Sequence, residues 1–325
     1  IIKYYNENLE KIKRPMISSA CPVIIRLITM RFPSLIENIT PILPPMEIAA
    51  IVAKNYLVSL GLKRHDIGVF FISPCAAKKT NTLNPLGIEK SEVDGVISIS
   101  DVYMKMRNII SNLPPEEVEI MLESTPKGVD WALTGGERKG VKIDNAIAVD
   151  GLEDVIKVFE EIENGQLTDV DYVEALTCIG GCVGGPLTLT NSFVARNTLE
   201  KIHNYSKKLP DSKKRKIDYT LEEINFKFSK KIEPVTGIGL GENMALALQR
   251  MEEVESIVEQ LPKIDCGSCG APTCEALAED IIKGEANIED CTFMLRRKVK
   301  DLAEAMLDLT SKMPQITNDI EKRNK

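Results

Sequence analysis

A chain of 325 residues with 43% hydrophobic and 27% charged residues has the composition of a globular protein with a full buried core. Its net charge of −7 argues against nucleic acid as a main partner. No apolar run approaches the ~18 residues that a membrane helix needs, and the first residues do not form a signal peptide, so we expect a cytoplasmic protein with no membrane partner.

Cysteine is the residue type that stands out, with eight copies against two histidines. Thiols stay reduced in the cytoplasm, so these cysteines are better explained as metal ligands than as disulfides. Neither His65 nor His203 lies near a cysteine motif. Zinc sites of mixed Cys and His type, and base catalysis by histidine, are therefore disfavoured.

The first cysteine lies between a predicted strand and a predicted helix. Residues 15–20 form a short strand that ends at Cys21, and Pro22 opens a helix that closes near Phe32. At a helix N-terminus the free N–H groups and the macrodipole favour a thiolate, the form that binds metal. For a lone cysteine, a buried and inert thiol is an equally good interpretation.

The second cysteine also follows a predicted strand. A helix is predicted over 46–60, and the near-continuous apolar run 66–72 then predicts a strand buried on both faces. Cys75 comes shortly after this run, with Lys78 and Lys79 behind it. Lysines at such positions are most often solvated, but a cation three residues past a metal ligand could donate to an anionic group on a cofactor.

The middle of the chain alternates predicted strands and helices, a pattern typical of an α/β architecture with mainly parallel sheet. The strands are predicted over 95–100, 145–149 and 171–176, and the helices over 101–113 and 152–164. The last strand leads into a glycine-rich loop that carries Cys178 and Cys182. Glycines let backbone approach a bound object closely, and two thiolates on one loop can ligate iron. For this loop alone, the alternative is a turn with two incidental cysteines.

The first four cysteines together form a candidate ligand set. Cys21, Cys75 and Cys178 each follow the end of a predicted strand, where ligands bind in open α/β sheets. With Cys182 they supply the four thiolates that a cubane iron–sulfur cluster takes.

A second group of four cysteines follows a lysine-rich stretch, residues 203–234, that we interpret as a connector, and a helix predicted over 243–261. Its members are Cys266, Cys269, Cys274 and Cys291. Three lie in a tight loop with glycines, and the fourth follows a helix predicted over 275–283. Zinc sites usually pair their ligands as two short CxxC units, whereas here three ligands precede one, which favours a 4Fe-4S cluster over zinc.

A heptad pattern of apolar residues fills the C-terminal segment. The apolar positions, in alternating spacings of four and three, are Leu295, Val299, Leu302, Met306, Leu309, Met313, Ile316 and Ile320. Pro314 interrupts the pattern and predicts a kink or a helix end. A homodimeric coiled coil and a single helix packed on its own domain are both compatible with this seam.

Three stretches resemble, in order, the signature motifs TSCCP, MPCTxKK and ExMxCxxGCxxGG of FeFe hydrogenases. Here they span residues 18–22, 73–79 and 174–185. The resemblance covers roughly residues 10–200. Residues 261–291 separately resemble a four-cysteine iron–sulfur module of several anaerobic redox proteins.

The resemblance implies an H-cluster, which is a 4Fe-4S cubane joined to a two-iron site with carbon monoxide, cyanide and dithiolate ligands. The implied cubane ligands are Cys21, Cys75, Cys178 and Cys182. Cys182 would also bridge to the two-iron site, and Lys78 would donate to a cyanide, which makes these two the implied catalytic residues. The implied reaction is H₂ ⇌ 2 H⁺ + 2 e⁻.

The implied fold is α/β and two-lobed, with mainly parallel sheets flanked by helices and the cluster between the lobes. A small helical iron–sulfur domain, with one additional 4Fe-4S cluster, and a C-terminal helix would follow. We therefore expect the parts to be residues 1–203, an H-cluster domain; 204–260, a connector and helix; 261–292, the 4Fe-4S domain; and 293–325, the heptad helix. The chain does not begin with Met, and we expect its first part to be incomplete at the N-terminus.

Several positions depart from the family motifs. The cysteine that passes protons in TSCCP is Ala20 here, and a methyl group has no ionisable proton. Ser73, Ala76 and Leu176 replace a methionine, a threonine and a methionine beside the two-iron site. We therefore expect a slow or sensory hydrogenase, with H₂ and protons as partners, that relays electrons through the second cluster to a downstream signalling domain. The alternatives are a non-catalytic electron-transfer or cluster-assembly protein and a zinc-binding scaffold.

Overall fold

The computed structural model describes residues 4–5, 13–114, 125–141, 143–208, 225–235 and 244–312. The strands within these ranges are β1 (Met16–Ile17), β2 (Phe70–Ser73), β3 (Gly95–Ser98), β4 (Ala146–Asp150) and β5 (Tyr172–Leu176). The α-helices are α1 (Pro22–Arg31), α2 (Pro45–Ser59), α3 (Ala77–Leu83), α4 (Ile99–Asn112), α5 (Pro126–Asp130), α6 (Gly136–Val141), α7 (Leu152–Glu163), α8 (Ser192–Lys208), α9 (Met244–Gln260), α10 (Cys274–Ile282) and α11 (Thr292–Lys312). In this part of the chain, no helix has the length and apolarity needed to cross a bilayer.

The first lobe is built on a parallel sheet with the strand order β1-β5-β4. Met16 of β1 and Ala146 of β4 both pair with Tyr172 of β5. Every residue of β5 is buried, as expected for a central strand with both faces covered. Helices α1 and α7 contribute to the core beside it, where the rings of Phe32 and Phe159 meet edge to face with centroids 5.5 Å apart.

The second lobe contains the parallel pair β2 and β3, in which Phe71 pairs with Val96. These two side chains pack against α2. The opposite face carries Phe70 and Ile72, which are 61% and 51% exposed. The prediction that the run 66–72 is buried on both faces is therefore wrong for this face. An apolar run shows that burial is favourable but not how many layers flank the strand.

Residues 225–235 pack onto the first lobe. The Val235 N–H donates to the Thr29 carbonyl oxygen at 2.9 Å, and Ile232 is buried in the core of this lobe. Helix α8 also runs across the predicted boundary between the first two parts. Residues 209–224, the middle of the predicted connector, lie outside the described residues, and the division into domains stays a prediction.

The small helical unit packs around a core that includes Leu261, Leu277 and Cys291. Helix α11 follows it and covers the first part of the heptad seam. The seam residues that are at least 58% exposed on α11 are Val299, Leu302, Met306 and Leu309. Leu295 at the start of the seam is 45% exposed. Met313, Ile316, Ile320 and Pro314 lie outside the described residues.

Candidate metal centres

Two of the predicted ligands come from the ends of neighbouring strands. Because β1 and β5 pair in parallel, Cys21 and Cys178 follow strand ends at the same edge of the sheet. Cys21 is the N-cap of α1, with Pro22 in the first turn. The Sγ atom of Cys21 lies 3.4 Å from Oγ1 of Thr177, the residue before Cys178. The thiol of Cys21 is thus held beside the loop that carries the other cysteines of this lobe.

Cys75 reaches the same place from the second lobe. The chain turns at the end of β2, where the Cys75 N–H donates to Oγ of Ser73 at 3.0 Å. The Leu187 N–H donates to the Pro74 carbonyl oxygen at 3.0 Å. A Cβ atom on Gly185 would lie 2.3 Å from that same oxygen, so only glycine permits this approach. The loops of the two lobes therefore touch beside Cys75.

Burial and the charges of neighbouring cysteines raise the pKa values of Cys75, Cys178 and Cys182. Burial raises the pKa of Cys182 to about 11, against the opposing charge of Lys78. Burial raises the pKa of Cys178 as well, and the charges of Cys21 and Cys75 add to the rise. Four thiolates at one buried place repel one another unless cations compensate their charge. The irons of a cubane supply that compensation, so this donor set fits a 4Fe-4S cluster.

The glycine-rich cysteine loop is fixed by residues that the sequence pattern did not single out. The carboxylate of Asp150 accepts hydrogen bonds from Oγ1 of Thr134 and from the Gly180 N–H. Gly181 has a φ of +91°, and a Cβ atom there would lie 2.6 Å from the backbone N of Thr134. The loop conformation thus depends on backbone that is distant in sequence.

The structure places Lys78 among the candidate ligands. Its Nζ donates to the Ala20 carbonyl oxygen at 3.3 Å and lies 5.9 Å from the centroid of the Phe71 ring. Its charge opposes the rise in pKa that burial causes at Cys75 and Cys182. An ammonium group between thiols can donate to an anionic ligand, and the particular role of Lys78 stays a prediction.

Two buried carboxylic acids in the first lobe were not predicted. Glu174 accepts hydrogen bonds from the N–H groups of Gly135 at 3.0 Å and Arg138 at 2.7 Å. Burial raises the pKa of Glu174 to about 7, although these two bonds oppose the shift. Glu137 accepts from Oγ of Ser18 at 2.7 Å, and burial raises its pKa as well. Glu174 can therefore hold or release a proton near neutral pH.

The second cysteine group lines one recess. Its four cysteines are Cys266, Cys269, Cys274 and Cys291. Burial raises the pKa of Cys269 to about 12, and the charges of Cys266 and Cys291 add to the rise. Asp265 accepts a hydrogen bond from the Cys274 N–H at 2.6 Å and has a φ of +43°, a conformation that costs energy outside glycine. This donor set also fits a 4Fe-4S cluster.

The spacing of the thiols decides which kind of metal group each cysteine group could hold. No three Cys, His, Asp or Glu side chains in the described ranges are close enough to share one ion. A four-iron cluster requires a different arrangement of ligands. Each thiolate binds its own iron atom, so the four sulfur atoms of the cysteines lie apart around the cluster. The fit to such clusters rests on burial, mutual charge and, in the second group, a shared recess.

Two parallel-sheet lobes meet at four partly buried thiols, and a helical unit with four more cysteines follows. This is the organisation of a hydrogenase-like iron–sulfur protein. The family model described as iron only hydrogenase large subunit, C-terminal domain, matches residues 1–142 and 137–186. The chain belongs to this family. A second model, of an Fe-S cluster domain, matches residues 261–293. The family resemblance and the α/β fold predicted from the sequence are confirmed.

Relatives match parts of the chain. The NADP-reducing hydrogenase subunit HndD of Solidesulfovibrio fructosivorans is 25% identical over 215 residues, 54% of this chain and 37% of that protein. The corrinoid/iron-sulfur protein large subunit of Moorella thermoacetica is 40% identical over 58 residues, 18% of this chain and 12% of that protein. The chain thus spans well under half the length of these relatives. The structure of the FeFe-hydrogenase HydA1 from Chlamydomonas reinhardtii is 18% identical with a TM-score of 0.45, over 67% of this chain and 71% of that one.

Proposed function

We propose that this protein is a slow or sensory FeFe hydrogenase that reacts with H₂ and relays electrons through a second 4Fe-4S cluster. The observation that supports this function is the meeting of four thiols and one lysine between the two lobes. A bound H-cluster supplies the redox chemistry of H₂ ⇌ 2 H⁺ + 2 e⁻. The chain's own residues bind that cofactor, compensate its charge and control the supply of protons.

Each residue of the first site has a distinct proposed role. The proposed cubane ligands are Cys21, Cys75, Cys178 and Cys182. Cys182 is also the proposed bridge to the two-iron site. The ammonium group of Lys78 donates to the Ala20 carbonyl oxygen. With the cofactor bound, it would also donate to an anionic cyanide ligand and offset the negative charge of the thiolates.

Ala20 makes proton transfer the slow part of the proposed reaction. Its methyl group cannot accept a proton, so a thiol relay is missing at this position. The Ala20 N–H donates to Oγ of Ser18 at 3.2 Å, and Ser18 donates to Glu137. Burial raises the pKa values of both Glu137 and Glu174, and Glu174, with a pKa of about 7, is the proposed proton store near the cysteine loops.

The substitution Ala20→Cys tests this assignment in the matured protein. A thiol at position 20 restores an ionisable group beside the first site, so the H₂ turnover measured by film electrochemistry should rise. Ser59→Cys is the matched control, because it adds a thiol at an exposed position in α2. Equal currents in the wild type, Ala20→Cys and Ser59→Cys would contradict the sensory function. A wild-type turnover as high as that of hydrogenases with an intact thiol relay would contradict it as well.

The proposed output of the sensor runs through α11. A second copy of this helix would bury the exposed seam residues Val299, Leu302 and Met306 in a coiled coil. A change in the conformation of this coiled coil would then reach a downstream signalling domain. The proposal assigns no redox partner. Leu302→Glu should convert a dimer to a monomer in light scattering, whereas Glu304→Gln should not. A monomeric wild type would contradict the dimer.

A further inference from the structure

The small helical unit approaches the first lobe through its own cysteine loop. Gly267 has a φ of +66°, and a Cβ atom there would lie 2.6 Å from Cγ2 of Thr177 and 2.9 Å from Cγ1 of Val23. Thr177 precedes Cys178. Val23 lies in the first turn of α1, the helix that Cys21 caps. A side chain on Gly267 would therefore push this loop away from backbone that positions two ligands of the first site.

A second contact joins the same loop to α3, the helix that follows Cys75. Oγ1 of Thr80 donates to the Cys269 carbonyl oxygen at 2.7 Å. On the open side of the interface, Cys178 and Cys266 line the same cleft. One cysteine of each group thus borders a shared space, and the loop of the second group touches segments that carry ligands of the first.

A largely buried ion pair holds the two units together. Nη2 of Arg26 lies 2.7 Å from both carboxylate oxygens of Asp280, and the two side chains are only 18% and 8% exposed. Breaking such a pair is costly because the remaining charge stays buried without its partner. Arg31 on the same helix pairs with Glu160 at 2.7 Å, but those side chains are about half exposed, so that pair contributes little.

We propose that the loop 266–270 is the electron-transfer contact between the two clusters and that Arg26 and Asp280 position it. The inference rests on the proposed function, since it takes the second cluster as the relay. One electron crosses this contact at a time: the first site is oxidised by one electron and the second is reduced by one. The electrons come from H₂, whose protons remain on the side of the first lobe.

The magnetic interaction between the two reduced clusters tests the contact in the full chain loaded with both. We expect spin–spin broadening in the electron paramagnetic resonance spectrum of the wild type. Arg26→Gln and Thr80→Val should each lose this broadening at unchanged iron content, because both clusters stay bound while the loop moves off. Arg26→Lys, which keeps the charge, should retain it, and Arg31→Gln is the matched control on the same helix.

Two results would overturn the proposed contact. One is broadening that persists in both Arg26→Gln and Thr80→Val, and the other is a wild type that binds both clusters without broadening. The readout is independent of hydrogenase activity. If the spectrum shows broadening but the infrared shows no carbon monoxide or cyanide bands, the hydrogenase function is rejected and the contact is supported. If the protein takes up H₂ but shows no broadening, only the contact is rejected.

Discussion

The two candidate cysteine sites are assembled in opposite ways. The thiols of the first site come from three segments in two lobes, spread over the sequence from Cys21 to Cys182. The second gathers all four from one helical unit, between Cys266 and Cys291. The first site therefore depends on contacts between residues far apart in sequence, and the second depends on local turns and one helix.

This difference predicts how each site fails. A change where the loops of the first site meet should empty that site and leave the second cluster bound. A change inside the helical unit should affect the second site alone, except at the interface that the two units share. Variants at matched positions can separate the two cases.

The largest effect is expected from Gly181→Ala. The added Cβ atom would lie 2.6 Å from the backbone N of Thr134, and the residue has a φ of +91°. The clash and the left-handed backbone together should cost about 3 kcal/mol of folding free energy. We expect the first site to lose its iron while the second cluster keeps its paramagnetic resonance signal.

Gly165→Ala is the matched control for that variant. Gly165 has a φ of +70°, but nothing lies within 4 Å of the added Cβ atom. The variant therefore carries the backbone strain without the clash and should cost about 1 kcal/mol. Equal loss of iron from both variants would show that the contact with Thr134 does not hold the first site together.

An intermediate effect is expected from the protonation of Glu174, which belongs to the first site only. Burial raises its pKa from the ordinary 4.5 to about 7, so the acid stays protonated to higher pH and ionises as the pH passes about 7. An infrared carboxylic acid band should disappear with that midpoint and be missing from Glu174→Gln. Glu153→Gln, an exposed carboxylate of α7, should leave the band unchanged. A midpoint near 4.5 would mean that Glu174 is solvated.

The smallest effect is expected at a helix cap of the second site. Oγ1 of Thr273 accepts a hydrogen bond from the Ala276 N–H at 3.0 Å at the start of α10. Thr273→Ala should lower the local stability of α10 by about 1 kcal/mol in amide hydrogen exchange and leave the first lobe unchanged. Ser98→Ala removes the same kind of cap from α4 and should act there alone. Faster exchange in both units after Thr273→Ala would show that the second site is not locally built.

Local patterns were sufficient to predict the elements that carry the candidate ligands. The strand ends before Cys21, Cys75 and Cys178, and the helices on either side of the second cysteine loop, lie close to where the sequence predicts them. Proline at the start of a helix, glycine in a loop and the apolar period are signals within a few residues of each element.

Contacts between distant segments could not be predicted in the same way. Asp150 meets Thr134, and Ser18 meets Glu137, only after the first lobe has folded, so these pairs leave no joint pattern in the sequence. The exposure of one face of β2 could not be predicted for the same reason. The apolar side chain of Phe70 does not show which distant elements are available to cover it.

The infrared spectrum of the matured protein, in the region of metal-bound carbon monoxide and cyanide, tests the central claim most directly. We predict such bands in the wild type and a shift of the cyanide bands in Lys78→Met, since the ammonium donor is then lost. Iron and acid-labile sulfide without these bands would show a non-catalytic iron–sulfur protein and contradict the proposed H-cluster. Zinc in place of iron would contradict both cluster assignments.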